Sequence, residues 1–303
     1  MPPFGVSAVA NLGPQLVPVP ARLPPRRRAP GGGAQPFLKW VGGKGGLLTQ
    51  LEPLLPPDHA RRRYFEPFLG GGAMFFHLGP RRAVLGDMNK ELVATYQVVA
   101  DDVEALIRVL ERMAGEHSET HFYATREAWN DGRVRSRVER AATFIYFNRT
   151  CFNGLWRVNR AGKYNVPMGR YANPSVCLPE RLRSASAALA GAHIKYSSYG
   201  DTLESAAAGD LVYLDPPYQP LSATANFTGY NAEAFDEKAQ RKLAATFHRL
   251  DERGCLVMQS NSDTPLIRQL YARYRIDVVM ASRNVNSRAD KRGAVQEVVV
   301  RNY

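Results

Sequence analysis

A carboxylate, two prolines and an aromatic ring directly follow a short apolar run in the sequence YLDPPY. Proline cannot donate to a sheet ladder and disfavours helical geometry in the residue before it, so the run is predicted to be a strand that ends at Asp215. The two prolines, Pro216 and Pro217, hold this carboxylate and the ring of Tyr218 in a stiff, extended relation. One hydrogen-bond acceptor and one flat ring at the end of a buried strand suit a planar molecule with an amine, such as a nucleobase.

A glycine-rich turn joins a predicted strand to an apolar helix in FEPFLGGGAMFFHL at 65–78. Glycines at 70, 71 and 72 can let the backbone approach a ligand closely at the helix N-terminus, although many such turns use glycine for structural reasons alone. Asp87 ends the next predicted strand, about twenty residues after the first strand begins, where a carboxylate can accept hydrogen bonds from ribose hydroxyls. The two features together predict a nucleoside-type cofactor.

A second glycine-rich turn, KWVGGKGG at 39–46, differs from a phosphate-binding loop at two positions. Gly45 stands where Ser or Thr would hold magnesium, and Leu38 stands where the first glycine would be, so ATP or GTP binding is not predicted. A glycine turn that carries Lys44 and is flanked by Trp40 can instead hold a carboxylate and form the wall of a pocket.

The elements that must position these residues alternate between short apolar runs and helical spacing, which predicts an α/β fold. Seven runs are predicted strands: 64–68, 83–86, 194–197, 211–214, 255–259, 276–280 and 295–301. Five apolar residues between two of these runs predict one helical face packed on the sheet: Phe235, Ala239, Leu243, Phe247 and Leu250. Residues 89–149 interrupt the alternation and are predicted to form several helices, one of them through Val138, Ala142, Ile145 and Phe147.

The segment CFNGLWRVNRAGKYNVPMGRY at 151–171 is predicted to be a loop or hairpin rich in basic and aromatic residues. Such residues, interleaved in a turn-rich segment, can neutralise phosphates and stack on bases. The alternative is an ordinary surface hairpin that a few aromatic side chains tether to the protein.

The charge of the chain favours a polyanionic partner. Among 303 residues, 40 Lys and Arg against 28 Asp and Glu give a net charge of +12, although a solvated basic surface would have the same composition. Residues 1–35 form a basic arm rich in Pro and Gly that is predicted to be disordered. Its arginines can add phosphate contacts, or the arm can be an upstream extension without consequence.

Cysteine and histidine usage gives no metal or disulfide signature. Cys151, Cys177 and Cys255 form no CxxC pair, and the glutamate between His117 and His121 does not stand where a zinc-binding HExxH sequence has it. No apolar run is long enough for a membrane span, and the proline-broken N-terminus lacks the basic region of a signal peptide. We therefore expect a cytoplasmic protein without metal and without a membrane.

Five ordered segments resemble the Dam-type DNA adenine N6-methyltransferases: FLKWVGGK, FEPFLGGGAMFF, LGDMN, FNRTCFNGLWRVNRAGKYNVPMGRY and YLDPPYQPLSATANFTGY. The resemblance extends from Phe37 to Tyr303, and a DPPY sequence alone would be far less specific than the five segments in this order. It implies a Rossmann-like S-adenosylmethionine-dependent methyltransferase sheet with an inserted, mainly helical target-recognition domain. The catalytic, cofactor-binding domain would comprise 36–98 and 194–303, and the inserted domain 99–193 would carry the hairpin at 151–171.

The resemblance also implies a site. S-adenosylmethionine would donate the methyl group, without a metal, and the catalytic residues would be those of the corner: Asp215, Pro216, Pro217 and Tyr218. Positions that match the family's cofactor contacts are Trp40, Lys44, Asp87 and Asp215, with Phe68, Gly70 and Gly72 of the FLGGG turn beneath the methionine part.

The partner implied is double-stranded DNA, bound by a monomer encoded by a bacterium, phage or plasmid. Arg157 resembles the family's guanine reader, and Leu155 and Pro167 resemble its contacts to a thymine methyl. Further positions match DNA contacts: Asn153, Arg170 and, for an outer base pair, Lys39. These matches imply methylation of the adenine in GATC.

Three further positions, one aromatic and two basic, can contact DNA on physical grounds. Phe152 can fill the gap left by a displaced base as an apolar wedge, or it can simply anchor the hairpin. Arg288 and Arg292, in the segment at 282–293, can contact phosphates or lie in a merely solvated loop.

The chemistry of the corner agrees with adenine as the target. The amine of a paired adenine is unreachable, so the base must leave the duplex at a cost of a few kcal/mol, and stacking on Tyr218 would return ~1–3 kcal/mol. Hydrogen bonds from the amine to Asp215 and to the carbonyl of Pro216 would favour a pyramidal nitrogen, which is catalysis by positioning and electrostatics. The sequence leaves three alternatives: a cytosine N4 enzyme, an RNA adenine enzyme, or an inactive DNA-binding homologue.

Overall fold

The computed structural model describes residues 33–220, 235–282 and 294–303. Several predictions concern residues outside these ranges. They are the order of the arm before residue 33, the SATANFTGY segment, and the phosphate contacts assigned to Arg288 and Arg292.

Within the described ranges, the chain forms one seven-stranded sheet in the order β3-β2-β1-β4-β5-β7-β6. The strands are β1 Tyr64–Glu66, β2 Ala83–Asp87, β3 Ala192–Tyr196, β4 Leu211–Leu214, β5 Leu256–Ser262, β6 Arg275–Ser282 and β7 Ala294–Arg301. The first five run parallel, and β7 is antiparallel to both of its neighbours, β5 and β6. Each strand coincides with one predicted from the sequence, with ends displaced by at most three residues.

The strand register brings the chemically interesting residues to one edge of the sheet. Tyr64 at the start of β1 pairs with Ala83 of β2 and with Leu211 of β4. The three parallel strands therefore end together, and a carboxylate stands at or directly after the end of each one. The chain order reverses between β1 and β4, and the crevice at such a switch point is where open α/β sheets bind ligands.

Ten α-helices accompany the sheet in the described ranges. They are α1 Leu48–Leu51, α2 Ala73–Leu78, α3 Lys90–Asp101, α4 Val103–Gly115, α5 Glu119–Asn130, α6 Arg137–Thr150, α7 Pro179–Leu189, α8 Tyr199–Thr202, α9 Glu237–Glu252 and α10 Pro265–Leu270. Side-chain caps define several helix starts, because an oxygen of Asn89, Ser136 or Asp236 accepts a hydrogen bond from a backbone N–H in the first turn. None of these helices has the length and apolar content that a membrane span requires.

The helical face predicted between β4 and β5 is confirmed in α9. Leu243, Phe247 and Leu250 are almost fully buried and pack in one cluster with strand residues that include Val212 and Val257. Phe235 precedes the helix rather than belonging to it, and its ring meets the edge of Phe68 at a centroid distance of 5.9 Å. Burial of this face holds α9 against the strands that lead to the site.

The helices predicted for 89–149 are present as α3 to α6. The strongest of them, α6, is buried on several sides rather than along one stripe, because Ala142, Phe144, Ile145 and Phe147 are all inaccessible to solvent or nearly so. A helix in this setting is a rigid support for the segment that directly follows it, which is the hairpin at 151–171.

Candidate active site

The corner after β4 meets the turn that carries Lys44. The ammonium of Lys44 lies 2.8 Å from Oδ1 of Asp215 as an ion pair and donates a hydrogen bond of 2.8 Å to the carbonyl of Gly42. The Lys44 side chain is only 8% exposed and that of Asp215 is 19% exposed. Lys44 is thus placed by its own turn and aimed at the carboxylate.

The Asp215 carboxylate keeps capacity to accept further hydrogen bonds. Its Oδ1 atom is buried and receives no well-directed hydrogen bond from the described residues, although the ammonium is in ion-pair range. Burial raises the pKa of the Asp215 carboxyl, and the charge and hydrogen-bonding capacity of Lys44 oppose that rise. The Asp215 carboxylate can therefore accept a hydrogen bond from a further donor.

Tyr218 is held from both sides. The Lys44 ammonium lies 4.6 Å from the centroid of the Tyr218 ring, and the Tyr218 hydroxyl donates a hydrogen bond of 2.8 Å to Oε2 of Glu297 on β7. Burial raises the pKa of Tyr218 well above its usual value, so the phenol stays neutral. The Tyr218 ring therefore has a defined orientation.

The glycine turn and Asp87 form the neighbouring part of the edge. Oδ2 of Asp87 accepts a hydrogen bond of 2.9 Å from the N–H of Gly70, and Oδ1 accepts one of 2.8 Å from the N–H of Asn89. Burial raises the pKa of Asp87, and these N–H groups oppose the rise. Each oxygen has a second lone pair, which leaves room for hydroxyl donors.

The close approaches at the glycines are made by two aromatic side chains. A Cβ at Gly70 would lie 2.8 Å from Cδ1 of Trp40, and a Cβ at Gly72 would lie 2.8 Å from the hydroxyl of Tyr96. Both glycines have positive φ, +48° and +66°, which other residues rarely adopt. Trp40 therefore packs on the FLGGG turn, while contact of that turn with a ligand stays a prediction.

Phe68, which begins the FLGGG turn, stacks on Tyr199 at a centroid distance of 5.6 Å. The contact joins the turn to α8, on the side of Asp87. Six of the predicted cofactor and catalytic positions thus lie along one edge of the sheet: Trp40, Lys44, Phe68, Asp87, Asp215 and Tyr218.

Glu66 at the end of β1 is a site residue that the sequence analysis missed. It is 3% exposed, accepts a hydrogen bond of 2.8 Å from the Tyr64 hydroxyl, and senses the charges of Asp215 and Asp87. Burial raises the pKa of Glu66 to about 8, so the carboxyl is mainly protonated at neutral pH. The signal was present, because Glu66 stands before a proline at the end of a buried strand, as Asp215 does.

The raised pKa of Glu66 predicts a pH dependence of stability. The folded protein binds a proton at Glu66 that the unfolded chain releases near pH 4.5, so this contribution is complete below that pH and is lost as the pH rises through about 8. Glu66→Gln mimics the protonated form. We expect the fall in unfolding temperature between pH 5.5 and pH 8.5, measured by calorimetry, to be smaller in this variant than in the wild type.

The matched control is Glu119→Gln, since this glutamate is exposed on the first turn of α5, outside the sheet. Its pH dependence should equal that of the wild type. Identical curves for Glu66→Gln and the wild type would contradict the assignment of a protonated Glu66.

The segment 151–171 forms a hairpin, which is one of the two forms predicted from the sequence. Isolated antiparallel bridges join Cys151 to Met168 and Val158 to Tyr164, and the N–H of Phe152 donates a hydrogen bond of 2.9 Å to the carbonyl of Pro167. Its first turn contains Asn153, which adopts a left-handed conformation with φ of 54°. The exposed side of the hairpin is therefore rigidly connected to α6.

The aromatic side chains of the hairpin divide into two groups. Trp156 and Tyr164 stack on each other at 5.0 Å, and Tyr164 also stacks on Phe147 of α6 at 4.5 Å. These two rings anchor the hairpin. Phe152 is 52% exposed, so it has the accessibility that a wedge needs.

The predicted DNA contacts lie on or beside this hairpin. Arg157 is exposed, and its Nε donates a hydrogen bond of 2.8 Å to Oδ1 of Asn165, which leaves the two terminal nitrogens for a partner. Asn153, Pro167 and Arg170 are exposed as well, whereas Leu155 is half-buried.

Lys39 is fastened to the hairpin through Asn148 of α6. Oδ1 of Asn148 accepts from the N–H of Lys39 at 2.8 Å, and its Nδ2 donates to the carbonyls of Lys39 at 2.6 Å and Gly154 at 2.9 Å. The Lys39 ammonium lies 4.3 Å from the ring centroid of Tyr171. One buried amide thus joins the turn that carries Trp40 and Lys44 to the start of the hairpin.

The comparisons with known proteins assign the family. Residues 40–285 match the model of the D12 class N6 adenine-specific DNA methyltransferases. The chain is 41% identical to Type II methyltransferase M1.LlaDCHI of Lactococcus lactis subsp. cremoris, over 89% of this chain and 95% of that protein. It is 36% identical to Type II methyltransferase M.MjaIII of Methanocaldococcus jannaschii, over 89% and 99% of the two chains. It is also 36% identical to the DNA adenine methylase of Escherichia coli strain K12, over 87% and 93%.

The fold and the site therefore define a DNA methyltransferase, and the chain belongs to the D12 class of N6 adenine-specific enzymes. It methylates adenine in DNA, which separates it from the cytosine N4 and RNA alternatives. Family membership implies S-adenosylmethionine as the methyl donor. In the described part of the chain, no group of three His, Cys, Asp or Glu side chains is arranged to hold a metal ion.

The residues of the sheet edge fit this donor. Two carboxylates, Asp87 and Asp215, lie with the ammonium of Lys44 and the protonated carboxyl of Glu66, so these described residues carry an excess of acceptors and of negative charge. A ligand with a cationic sulfonium, an ammonium and ribose hydroxyls is complementary to that set.

Proposed function

We propose that this enzyme methylates N6 of the adenine in GATC within double-stranded DNA, after the base has been flipped out of the helix. The observation that carries the proposal is the assembly of Lys44, Asp215 and Tyr218 into one corner beside an exposed basic hairpin. The D12 class explains the chemistry, and the hairpin residues support the choice of sequence.

Extrusion of the base costs a few kcal/mol, which the protein must offset. Tyr218 offers a stacking surface worth ~1–3 kcal/mol, and its ring is already oriented by Lys44 and Glu297. Phe152, exposed on the hairpin, fills the space that the base leaves.

The carboxylate and the carbonyl of the corner then orient the amine. Asp215 accepts one N6 proton and the carbonyl of Pro216 accepts the other, while Pro217 keeps the corner rigid. The nitrogen lone pair, normally delocalised into the purine, is thereby directed out of the ring plane toward the donor. Lys44 holds the Asp215 carboxylate in place at a distance of 2.8 Å, and its charge favours the ionised form of that carboxyl.

The cofactor is assigned to the same edge of the sheet. S-adenosylmethionine supplies a methyl group bound to a positively charged sulfur. Asp87 would accept hydrogen bonds from the ribose, Trp40 and Phe68 would form apolar walls, and the turn of Gly70 and Gly72 would hold the methionine part.

Sequence choice is assigned to the hairpin. Arg157 donates two hydrogen bonds to O6 and N7 of guanine, and Leu155 and Pro167 contact a thymine methyl. Asn153, Arg170 and Lys39 contribute the remaining contacts, and Arg288 and Arg292 are proposed to contact phosphates. In this proposal residues 99–193 form the recognition domain, residues 36–98 with 194–303 form the catalytic domain, and the enzyme acts as a monomer.

The test is expression in a host that lacks adenine methylation. Host DNA should become resistant to an endonuclease that cuts only unmethylated GATC and sensitive to one that cuts only methylated GATC. Asp215→Ala, produced at the same level, is the negative control. Unchanged digestion with a folded, soluble wild-type protein contradicts the proposal, whereas methylation in duplexes that lack GATC contradicts the sequence assignment alone.

A further inference from the structure

Two buried amides outside the site described above join the catalytic corner to the fold. Gln240 on α9 and Asn261 on β5 are both 0% exposed. Nε2 of Gln240 donates a hydrogen bond of 2.9 Å to the carbonyl of Pro217, and Oδ1 of Asn261 accepts one of 3.2 Å from the N–H of Gln219. A hydrogen bond of 3.0 Å from Nδ2 of Asn261 to Oε1 of Gln240 connects the two side chains.

The backbone fixes the orientation of both amides. A carbonyl can only accept, so Gln240 must present its NH₂ to Pro217 and its oxygen to Asn261. Asn261 must then present its NH₂ to Gln240, which leaves its oxygen for the N–H groups of Gln219 and, at 2.8 Å, Ser262. The directions derived from the two ends agree, so the chain of hydrogen bonds is fully consistent.

Core packing alone does not explain the Gln240–Asn261 pair. Buried amides cost free energy unless they are hydrogen-bonded, and the same helix already packs on the sheet through Leu243 and Phe247. The pair adds hydrogen bonds to the backbone directly before and directly after Tyr218, at Pro217 and Gln219.

We propose that Gln240 and Asn261 are positioning residues for methyl transfer, which set the plane and depth of the Tyr218 ring. The inference rests on the proposed role of the corner and adds two residues, from α9 and β5, that contact neither base nor donor. A displacement of a positioning group by about 1 Å can lower the rate roughly 100-fold. We therefore expect these hydrogen bonds to affect kcat.

Gln240→Glu gives a test that a merely structural role would not satisfy. A protonated carboxyl reproduces both bonds, because its hydroxyl donates to Pro217 and its carbonyl accepts from Asn261, whereas an ionised one turns an acceptor toward the Pro217 carbonyl. Burial raises the pKa of Glu66 in this same protein to about 8, so the new carboxyl should titrate in an accessible range.

The measurement is the ratio of kcat for the variant to kcat for the wild type, from pH 6 to pH 9, on the same DNA duplex. We expect a ratio near one at pH 6 and a fall of about tenfold per pH unit above the pKa of the new carboxyl. The titratable groups of the corner, Asp215, Tyr218 and Glu297, are present in both proteins, so their effects largely cancel in the ratio.

Two further variants complete the experiment. Gln240→Met, of similar length but unable to donate to Pro217, should lower kcat roughly 10- to 100-fold at every pH with little change in the Kd for DNA. Gln50→Glu, at an amide that bonds the backbone of Met280 on the opposite side of the sheet, should match the wild type throughout.

A Gln240→Glu ratio that does not change with pH, in a protein whose folding is verified by circular dichroism, overturns the inference. So does a Gln240→Met variant with wild-type kcat. Either result is distinct from failure of the proposed function, because the wild-type enzyme must methylate the duplex for any ratio to be measured.

Discussion

Asp215→Ala is expected to abolish turnover while DNA binding remains measurable. The substitution removes the acceptor that orients the amine and leaves the Lys44 ammonium without its partner at 2.8 Å. Loss of one pre-organised electrostatic contact typically lowers kcat about 100- to 1,000-fold, and we expect at least that effect here. Methyl transfer from labelled donor to a duplex containing GATC gives kcat, and a gel-shift titration gives the Kd for DNA.

Two controls separate chemistry from folding. Asp58→Ala removes an exposed carboxylate that pairs with Arg62 four residues later, and its activity should match the wild type. The thermal unfolding of Asp215→Ala should remain cooperative. A folded Asp215→Ala enzyme with normal turnover would show that the corner does not do the chemistry assigned to it.

Arg157→Ala is expected to relax discrimination at the guanine of the target. Nε of Arg157 is engaged by Asn165 at 2.8 Å, which presents the terminal nitrogens as a fixed fork for two base acceptors. A bidentate arginine–guanine contact is worth ~1–3 kcal/mol, so the preference for guanine in kcat/KM should fall roughly 5- to 150-fold. The measurement compares GATC with duplexes substituted only at the first base pair.

The matched control is Arg160→Ala, because Arg160 is equally exposed on the same hairpin but has no assigned base contact. It should weaken binding to all duplexes alike and leave the preference unchanged. Arg157→Lys should behave more like alanine than like arginine, since lysine lacks the planar fork. Equal loss of preference in the Arg157 and Arg160 variants would assign the effect to charge rather than to reading of the base.

Local sequence patterns predicted the strands of the sheet and the position of Asp215 at the end of β4. The strands were predicted from short runs of apolar residues, and the prolines after Asp215 and the LGD sequence at Asp87 placed these two carboxyl groups at strand ends. The pairing of Lys44 with Asp215 was less accessible, since 171 residues separate them and only the family resemblance placed both at the cofactor.

Two of the residues that sequence reasoning missed, Glu297 and Gln240, have roles that depend on long-range packing. Glu297 contacts Tyr218 because β7 inserts beside β5, and no local pattern encodes that pairing. Gln240 belongs to the apolar side of α9 by position, yet it is polar, and only the location of the Pro217 carbonyl explains why. Glu66 could have been found from its proline neighbour.

The glycines of the FLGGG turn have close neighbours within the protein itself. The sequence predicts that Gly70 and Gly72 let the backbone approach a ligand or serve the turn itself. In the structure Trp40 and Tyr96 approach the two glycines closely, and contact with a ligand stays a prediction. Sequence alone does not distinguish these two uses, because positive φ and close approach impose the same residue type.

The hydrogen bonds of Asn148 limit which parts of the hairpin at 151–171 can be exchanged for those of a related enzyme. One side chain fastens both the peptide of Lys39, directly before Trp40, and the carbonyl of Gly154 at the foot of the hairpin. A graft that replaces the start of the hairpin would therefore also loosen the turn that carries Trp40 and Lys44. Productive exchanges should therefore start beyond Gly154 and leave the end of α6 untouched.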